Sequence, residues 1–514
     1  MMRALGGAAV VCCGTFGGPA MGFAQAPSNQ SQHTVANSLP LSGRGAQNGS
    51  VTAVEAPIAG TTNSVTTINP SVQATGPYAG SSLGTAKRPF SGKLSLHEAI
   101  ERGLNYNLGT ANQNNAVRQA QGQSQVARSA LLPNVSGYLA ETIQQTNLAA
   151  EGVKVRIQNP GFSFPTIVGP FNNIDLRGNV TQSVMDLTAW NNYRSSKDVY
   201  SAAKFSARDA RETIVLAVCG GYLQVIATGE RVKSAHAQLD TANVLLEQTR
   251  QKRSVGLAPQ IDVDRSEVEQ LTQQQRVISL EMELAKEKIA LARMTGLPPN
   301  DGYELTDAVP FAAAPDLTLE DAIHQALDRR ADIQAAQAQI RAAEHGLSAA
   351  RDERLPSLSV NGNYGAIGTN PAQAKATYSG VATLSIPLWQ GGRTEGDVKL
   401  AEASLAQRRA ELDDLKGQVE GDVRNAYLEL GAATSQVKVA QRNLDVTKET
   451  LDLTRQRFDA GVTDNVEVVQ AQESLTSAEL DVINSVFAHN VAKLSLARSI
   501  ASAADNVQQF LNLQ

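Results

Sequence analysis

Residues 211–254 read RETIVLAVCGGYLQVIATGERVKSAHAQLDTANVLLEQTRQKRS, and this stretch decides the fold. Large apolar residues recur every seven positions, at Val218, Val225, Val232, Leu239 and Leu246. Three positions after each comes a small one: Gly221, Thr228, Ala235, Ala242 and Thr249. Residues three and four apart share a helix face, and a seven-residue apolar repeat is the seam of a coiled coil. The proline-free run around it, 189–253, predicts one helix of roughly 100 Å at about 1.5 Å per residue. Helices of compact domains average about 10 to 14 residues.

The same seam returns 205 residues later in KGQVEGDVRNAYLELGAATSQVKVAQRNLDVTKETLDLTRQRFD, residues 416–459. Val423, Leu430, Val437, Leu444, Leu451 and Phe458 hold the large positions; Ala426, Ala433, Ala440, Thr447 and Thr454 hold the small ones. Tyr222-Leu223 recurs as Tyr427-Leu428, Gly256 as Gly461, and Leu291-Ala292-Arg293 as Leu496-Ala497-Arg498. The chain is therefore a tandem duplication, 93–295 and 317–501, joined by a proline-rich connector at 296–316 and followed by a tail at 502–514.

Composition agrees with an extended helical protein. Aromatic residues make up 4% of 514 residues, so Ala, Leu and Val must do the packing. A formal charge of −5 provides no basic footprint for nucleic acid. No apolar run reads as a spanning helix of the usual length of about 20 residues. Residues 1–26 read as an export signal, with Arg3, a weakly apolar stretch and Ala24-Gln25-Ala26 as the cleavage pattern. Cys12 and Cys13 fall inside it, which leaves Cys219 without an internal disulfide partner. Residues 27–92, rich in Ser, Asn, Gly, Thr and Gln, read as disordered.

Each copy opens alike, with Leu-Ser-Leu-His-Glu-Ala-Ile at 94–100 and Leu-Thr-Leu-Glu-Asp-Ala-Ile at 317–323. Ser95 with Glu98, and Thr318 with Asp321, form capping boxes. Leu132-Pro133 and Leu355-Pro356 end helices and open strands. At 357–366, Leu358, Val360, Gly362, Tyr364 and Ala366 alternate with Ser and Asn; at 378–388, Tyr378, Ala382, Leu384, Ile386 and Leu388 form one face. At 173–184, Ile174, Leu176, Val180 and Val184 alternate with Asp175, Arg177, Asn179, Thr181 and Ser183, and a fourth strand near 134–144 is less regular. Dyad alternation of this length matches a transmembrane barrel strand, and also an ordinary half-buried sheet. Four strands cannot close a barrel, whereas three copies give twelve.

The first hairpin carries 19 residues more than the second, concentrated around 148–170. Beyond the long helices, Gly256 and Gly461 cap the ends and a second helix returns in each copy, near 261–295 and 466–501. The strands then lie at one end of the long helices and the glycine turns at the other.

Taken in order, these residues resemble the TolC family of outer-membrane channel proteins, from Leu94 to Ala501. The duplicated openings, the two Leu-Pro steps, Ser-Ile-Pro-Leu-Trp-Gln-Gly-Gly at 385–392, and the turns Ser254-Val255-Gly256-Leu257 and Ala460-Gly461-Val462-Thr463 carry the likeness. The first junction, 183–189, lacks the Pro and Gly-Gly of the second. The resemblance implies an α+β membrane protein: a homotrimer whose twelve-stranded barrel sits in outer-membrane lipid and continues into a twelve-helix periplasmic tunnel. It also implies a passive exit duct for tripartite efflux or type I secretion. The partners would be a periplasmic adaptor and an inner-membrane pump of RND or ABC type.

No catalytic, cofactor or metal constellation accompanies it. The six histidines lack ligand spacing, there is no phosphate loop, and Cys219 has no evident histidine partner. The candidate functional residues are the acids at the turns, Asp262, Asp264, Asp464 and Glu467. By the resemblance these lie at the tunnel entrance, and as first-turn residues they also suit helix N-termini. A non-conducting periplasmic coiled-coil scaffold is the alternative function, which the apolar strand faces disfavour. The long loop, lying opposite the helices, is expected to face the cell exterior. A Ser163→Cys variant should react with an impermeant maleimide on intact cells; labelling only after outer-membrane rupture would reverse the topology.

Overall fold

The computed structural model describes residues 50–58, 67–82, 90, 92–150, 152, 166–298, 302–307, 311–313, 317–463, 465–504 and 510–511. The signal-peptide reading and most of the tail lie outside these residues. The first copy contains α1 (Leu96–Tyr106), α2 (Leu108–Ser129), β4 (Asn134–Asn147), β5 (Ile167–Met185), α3 (Leu187–Ser254) and α4 (Gln260–Thr295). The second contains α5 (Leu319–Arg329), α6 (Ala331–Asp352), β7 (Ser357–Gly368), β8 (Lys375–Ser385), α7 (Arg393–Asp459) and α8 (Asn465–Ser499). Two short strands, β3 (Lys93–Leu94) and β6 (Glu304–Leu305), pair in parallel and tie the connector to the first opening.

The heptad positions face inward as the spacing requires. Val218, Val225, Thr228, Ala235, Ala242, Leu246 and Thr249 of α3 are buried, as are Val423, Ala426, Leu430, Ala433, Val437, Ala440 and Leu451 of α7. Upper α3 packs against α2 and α6, and lower α3 against α4 and α8, while α7 packs against α6 above and α8 below. The main core lies at mid-length, where α1, α3, α5, α7 and the end of α8 converge around Leu94, Val218, Tyr222, Val423 and Leu494. α3 is also the described helix with an 18-residue stretch apolar enough to cross a membrane by composition, contrary to the sequence expectation. Two thirds of that stretch is buried within the protein because it forms this core.

Local chemistry fixes the joints. Ser95 Oγ accepts from Glu98 N–H at 3.2 Å, but the remaining α1 cap comes from far away: Asp307 Oδ2 accepts from Leu96 N–H at 2.5 Å and from Tyr222 OH at 3.2 Å. The helical patterns after the openings are broken, at Asn107 in the first copy and Arg330 in the second, both with extended backbone. Asn107 is fully buried; its side chain caps Gly109 N–H at 2.8 Å and donates to Tyr78 O at 2.8 Å. Arg330 reaches Asp332 at 2.7 Å and Asp422 at 3.1 Å, binding the α5–α6 joint to α7. At the strand-to-helix junctions, Asp186 Oδ1 caps α3 through Ala189 N–H at 2.8 Å, whereas α7 starts from two left-handed glycines, Gly391 and Gly392. An acidic cap thus replaces the Gly-Gly missing from the first junction.

The 27–92 segment departs from expectation. Its described part forms an antiparallel hairpin of β1 (Val51–Ile58) and β2 (Thr67–Ala74), followed by a turn carrying Tyr78. A Cβ at Gly220 would lie 2.6 Å from Val72 Cγ1, so the bare glycine is what lets β2 press onto α3. Composition could not reveal this order, because the apolar partner is supplied by a helix far along the chain.

β4, β5, β7 and β8 form one antiparallel sheet in that order. The register aligns Leu139, Leu176, Ala366 and Ala376 in one row, and Gly137, Gly178, Tyr364 and Tyr378 in the next. Rows of Ser136, Asn179, Asn363 and Ser379, and of Asn134, Thr181, Asn361 and Val381, occupy the opposite face. One face is therefore apolar and exposed, with Leu139 at 70% and Tyr378 at 84%. The irregular strand near 134–144 is resolved as β4, whose Val135, Leu139 and Ile143 share the apolar face. Residues 148–166 join β4 to β5, against 369–374 for β7 to β8, in keeping with a longer first loop.

Near the end of α8, Lys493 is fully buried and donates to Ala312 O at 2.9 Å, beside His489 at 3.1 Å from the same carbonyl. Burial pulls the Lys493 ammonium from its ordinary 10.5 to about 8. Between these values the unfolded chain holds the proton and the folded chain does not, so stability rises with pH across that window. Relative to Lys493→Met, the wild-type chain should gain on the order of 3 kcal/mol from pH 8 to 10.5, read from paired denaturation curves. A flat difference would show that the folded protein keeps this proton.

Candidate functional site at the helix tips

The two long helices end in the same turn. Gly256 (φ +78°) and Gly461 (φ +72°) are left-handed. Leu257 N–H donates to Lys252 O at 2.8 Å and Val462 N–H to Arg457 O at 2.9 Å, while Gly256 and Gly461 donate to Arg253 O and Phe458 O. This is the Schellman pattern, in which the glycine reverses the chain without Cβ strain. It starts α4 and α8 directly beside the ends of α3 and α7.

The reversal places Asp262 and Glu467 in the first turns of α4 and α8, with Asp264 one turn further along α4. Asp262 is half-buried, with Arg265 Nη1 at 3.7 Å from its Oδ1. Asp264 is exposed and accepts from Gln260 Nε2 at 2.8 Å. Glu467 lies 3.7 Å from Arg457 Nη1, across the turn. Asp464 lies outside the described residues. The N-cap of α4 is Pro259, which supplies no side-chain bond, so Asp262 acts on that helix through its dipole.

The structure also brings together residues that the sequence left apart. Lys252 Nζ stands 3.8 Å over the Phe458 ring, a cation–π contact between the two long helices at their tips. Beside it a cleft of about 400 Å³ is lined by Asp240, Val244, Gln248, Arg455, Phe458 and Gln472. Just above the turns, burial and then the charge of Glu269 push the Glu473 carboxyl above its ordinary range. Higher still, α3 meets α8 through polar groups: Arg231 Nη2 donates to Asn484 Oδ1 at 2.6 Å, and Ser234 and Gln238 donate to Glu479 Oε2 at 2.6 and 3.0 Å. Burial lowers the Arg231 guanidinium from its usual value, opposed by Glu283 and Glu287. The fully buried Cys219 thiol is pushed up by burial, which makes it a packing group rather than a nucleophile.

Residues 108–297 and 322–502 match the family described as outer membrane efflux protein. The chain belongs to this family. It is 22% identical over 410 residues to the pyoverdine export outer membrane protein OpmQ of Pseudomonas aeruginosa, covering 77% of this chain and 82% of that one. To the outer membrane protein TolC of Vibrio cholerae it is 23% identical over 335 residues, covering 64% and 76%. Among solved structures, the Campylobacter jejuni outer membrane channel CmeC superposes with a TM-score of 0.69 at 15% identity, over 90% of this chain and 98% of that one. VceC of Vibrio cholerae gives 0.67 at 18% identity, over 79% and 96%. The protein is an outer-membrane efflux component with a TolC-like fold, providing an exit duct that extends into the periplasm. The scaffold alternative is set aside, because the family is one of channel and efflux proteins.

Proposed function

We propose that three copies of this chain close a twelve-stranded barrel above a twelve-helix tunnel, the passive outer-membrane exit of a tripartite efflux system. One observation carries the reading: every layer of the chain is an open arc with the same two margins. The sheet ends on β4 and β8. The upper helices run α2, α3, α6, α7 and the lower ones α4, α3, α8, α7. β4, α2 and α4 therefore line one margin, and β8 and α7 the other.

The margins are apolar as well as open. α4 exposes Val268, Leu271, Ile278 and Met282, and α7 exposes Val439, Val446 and Leu453, both at coiled-coil spacing. Rotation sets the α7 margin of one copy on the α4 margin of the next, a head-to-tail contact that closes into a ring. Three copies also satisfy the open edges of the sheet, which hydrocarbon cannot. The apolar face would then meet lipid and the polar face the lumen. Trp190 and Trp389, the two tryptophans of the chain, stand at the two strand-to-helix junctions, where an interfacial aromatic belt belongs. Energy would come from an inner-membrane pump of RND or ABC type through a periplasmic adaptor; type I secretion would use the same duct. Crosslinking of detergent-extracted protein should stop at three, and a water-soluble monomer obtained without detergent would overturn the barrel.

Within that trimer, Asp262, Asp264, Asp464 and Glu467 would meet at one level of the entrance. Rings of carboxylate in a narrow opening focus a negative potential and favour cations. Arg265 and Arg457 temper their mutual repulsion. Replacing all four acids with Asn or Gln should reduce cation preference in planar-bilayer recordings and weaken block by multivalent cations. Unchanged selectivity with loss of trimer stability would assign them to helix ends alone.

A further inference from the structure

The polar face of the sheet is nearly uncharged. Among the described strand residues it carries Asp175, Arg177 and Lys375, set among Asn, Ser and Thr and a few apolar residues, Ala140, Ile367 and Val381 among them. The first two are bonded into a unit. Arg177 Nε donates to Asp175 Oδ1 at 2.6 Å, and Tyr138 OH, from the neighbouring strand, donates to Asp175 Oδ2 at 2.6 Å. Both carboxylate oxygens are thereby engaged, and Arg177 is fixed through one edge of its fork. Nη1 and Nη2 have no hydrogen-bond partner among the described residues.

Space for this arrangement comes from across the sheet. Arg177 stands opposite Gly365 of β7, where an added Cβ would lie 2.5 Å from Arg177 Cγ. The arginine stem thus lies along the wall, where a side chain at 365 would collide with it. An anchored guanidinium with a free Nη edge is the geometry that receives a carboxylate or phosphate through two parallel hydrogen bonds.

We propose that Arg177 is an oxyanion-binding station on the inner wall of the barrel, engaging the carboxylate or phosphate groups of small solutes in transit. The proposal rests on the duct reading, since closure of the sheet makes this face the lumen. Twelve strands about 4.8 Å apart, tilted about 40°, give a backbone radius of about 12 Å. A solute in the lumen therefore passes within about one Debye length, about 8 to 10 Å, of the wall charges. Arg177 and Lys375 against Asp175 leave each polar sheet face with one excess positive charge, opposite in sign to the tip acids. Asp175 also limits the hold on the anion by partly cancelling the field, and a conducting path needs binding weak enough to release.

The test is single-channel recording of the full-length protein in planar bilayers, with citrate or pyrophosphate added on the barrel side as carboxylate and phosphate probes. Both should block the wild-type current at millimolar concentration. Arg177→Gln should require at least tenfold more of either probe for half-block, while retaining the crosslinked trimer and its high-salt conductance. Arg177→Lys keeps the charge and loses the fork, so its block should be intermediate; block equal to wild type would overturn the oriented-fork assignment. Equal block of wild type and Arg177→Gln, with both conducting, would overturn the station and leave the duct standing. Loss of block for one probe alone in Arg177→Gln would restrict the station to that chemistry. A chain that forms no conducting trimer would overturn both readings.

Discussion

A backbone amide in hydrocarbon has no water to turn to, and this governs the architecture. β4 and β8 each leave one row of amide and carbonyl groups unpaired within the chain. The cost of several kcal/mol for each unsatisfied group makes the four-stranded sheet untenable in a membrane by itself. The helical layers have the corresponding problem in apolar form, with unmatched coiled-coil seams on α4 and α7. The same neighbouring chain would satisfy both.

Much of this was legible because the signals are local and periodic. The positions Val218 to Leu246 and their repeats are oriented by helical geometry alone, so a seven-residue spacing identifies the buried face before any partner is known. Gly256 and Gly461 were readable for a similar reason: a left-handed residue after a long apolar run has few alternatives to glycine. β5, β7 and β8 alternate over most of their length, whereas in β4 Glu141 adds a charge to the apolar face.

The illegible parts depend on contacts distant in sequence. Asn107 looks like an ordinary polar residue within a helix until Tyr78 and Met294 converge on its side chain. The β1–β2 hairpin lies within a segment of polar overall composition, and its seat is the missing side chain of Gly220. Among the tip acids, the spacing gave their level in the fold but not their partners: Arg265 lies on the same helix as Asp262, and Arg457 comes from the helix before Glu467. The Tyr138–Asp175–Arg177 unit was hidden for another reason. Strand alternation gave the face, while the clearance over Gly365 depends on register.

The breaks at Asn107 and Arg330 have a mechanical consequence. α1 and α5 are short pieces lodged at mid-length, whereas α3 and α7 pass through that level unbroken for 68 and 67 residues. A continuous helix is stiff in torsion because turning one end strains every hydrogen bond along it. The two long helices would therefore act as drive shafts, with the broken ones as a bearing around them. Torque applied at the glycine turns would reach the rim of the sheet through α3 and α7, while the mid-length collar, pinned by Asp307, Arg330 and Asn107, stays in place.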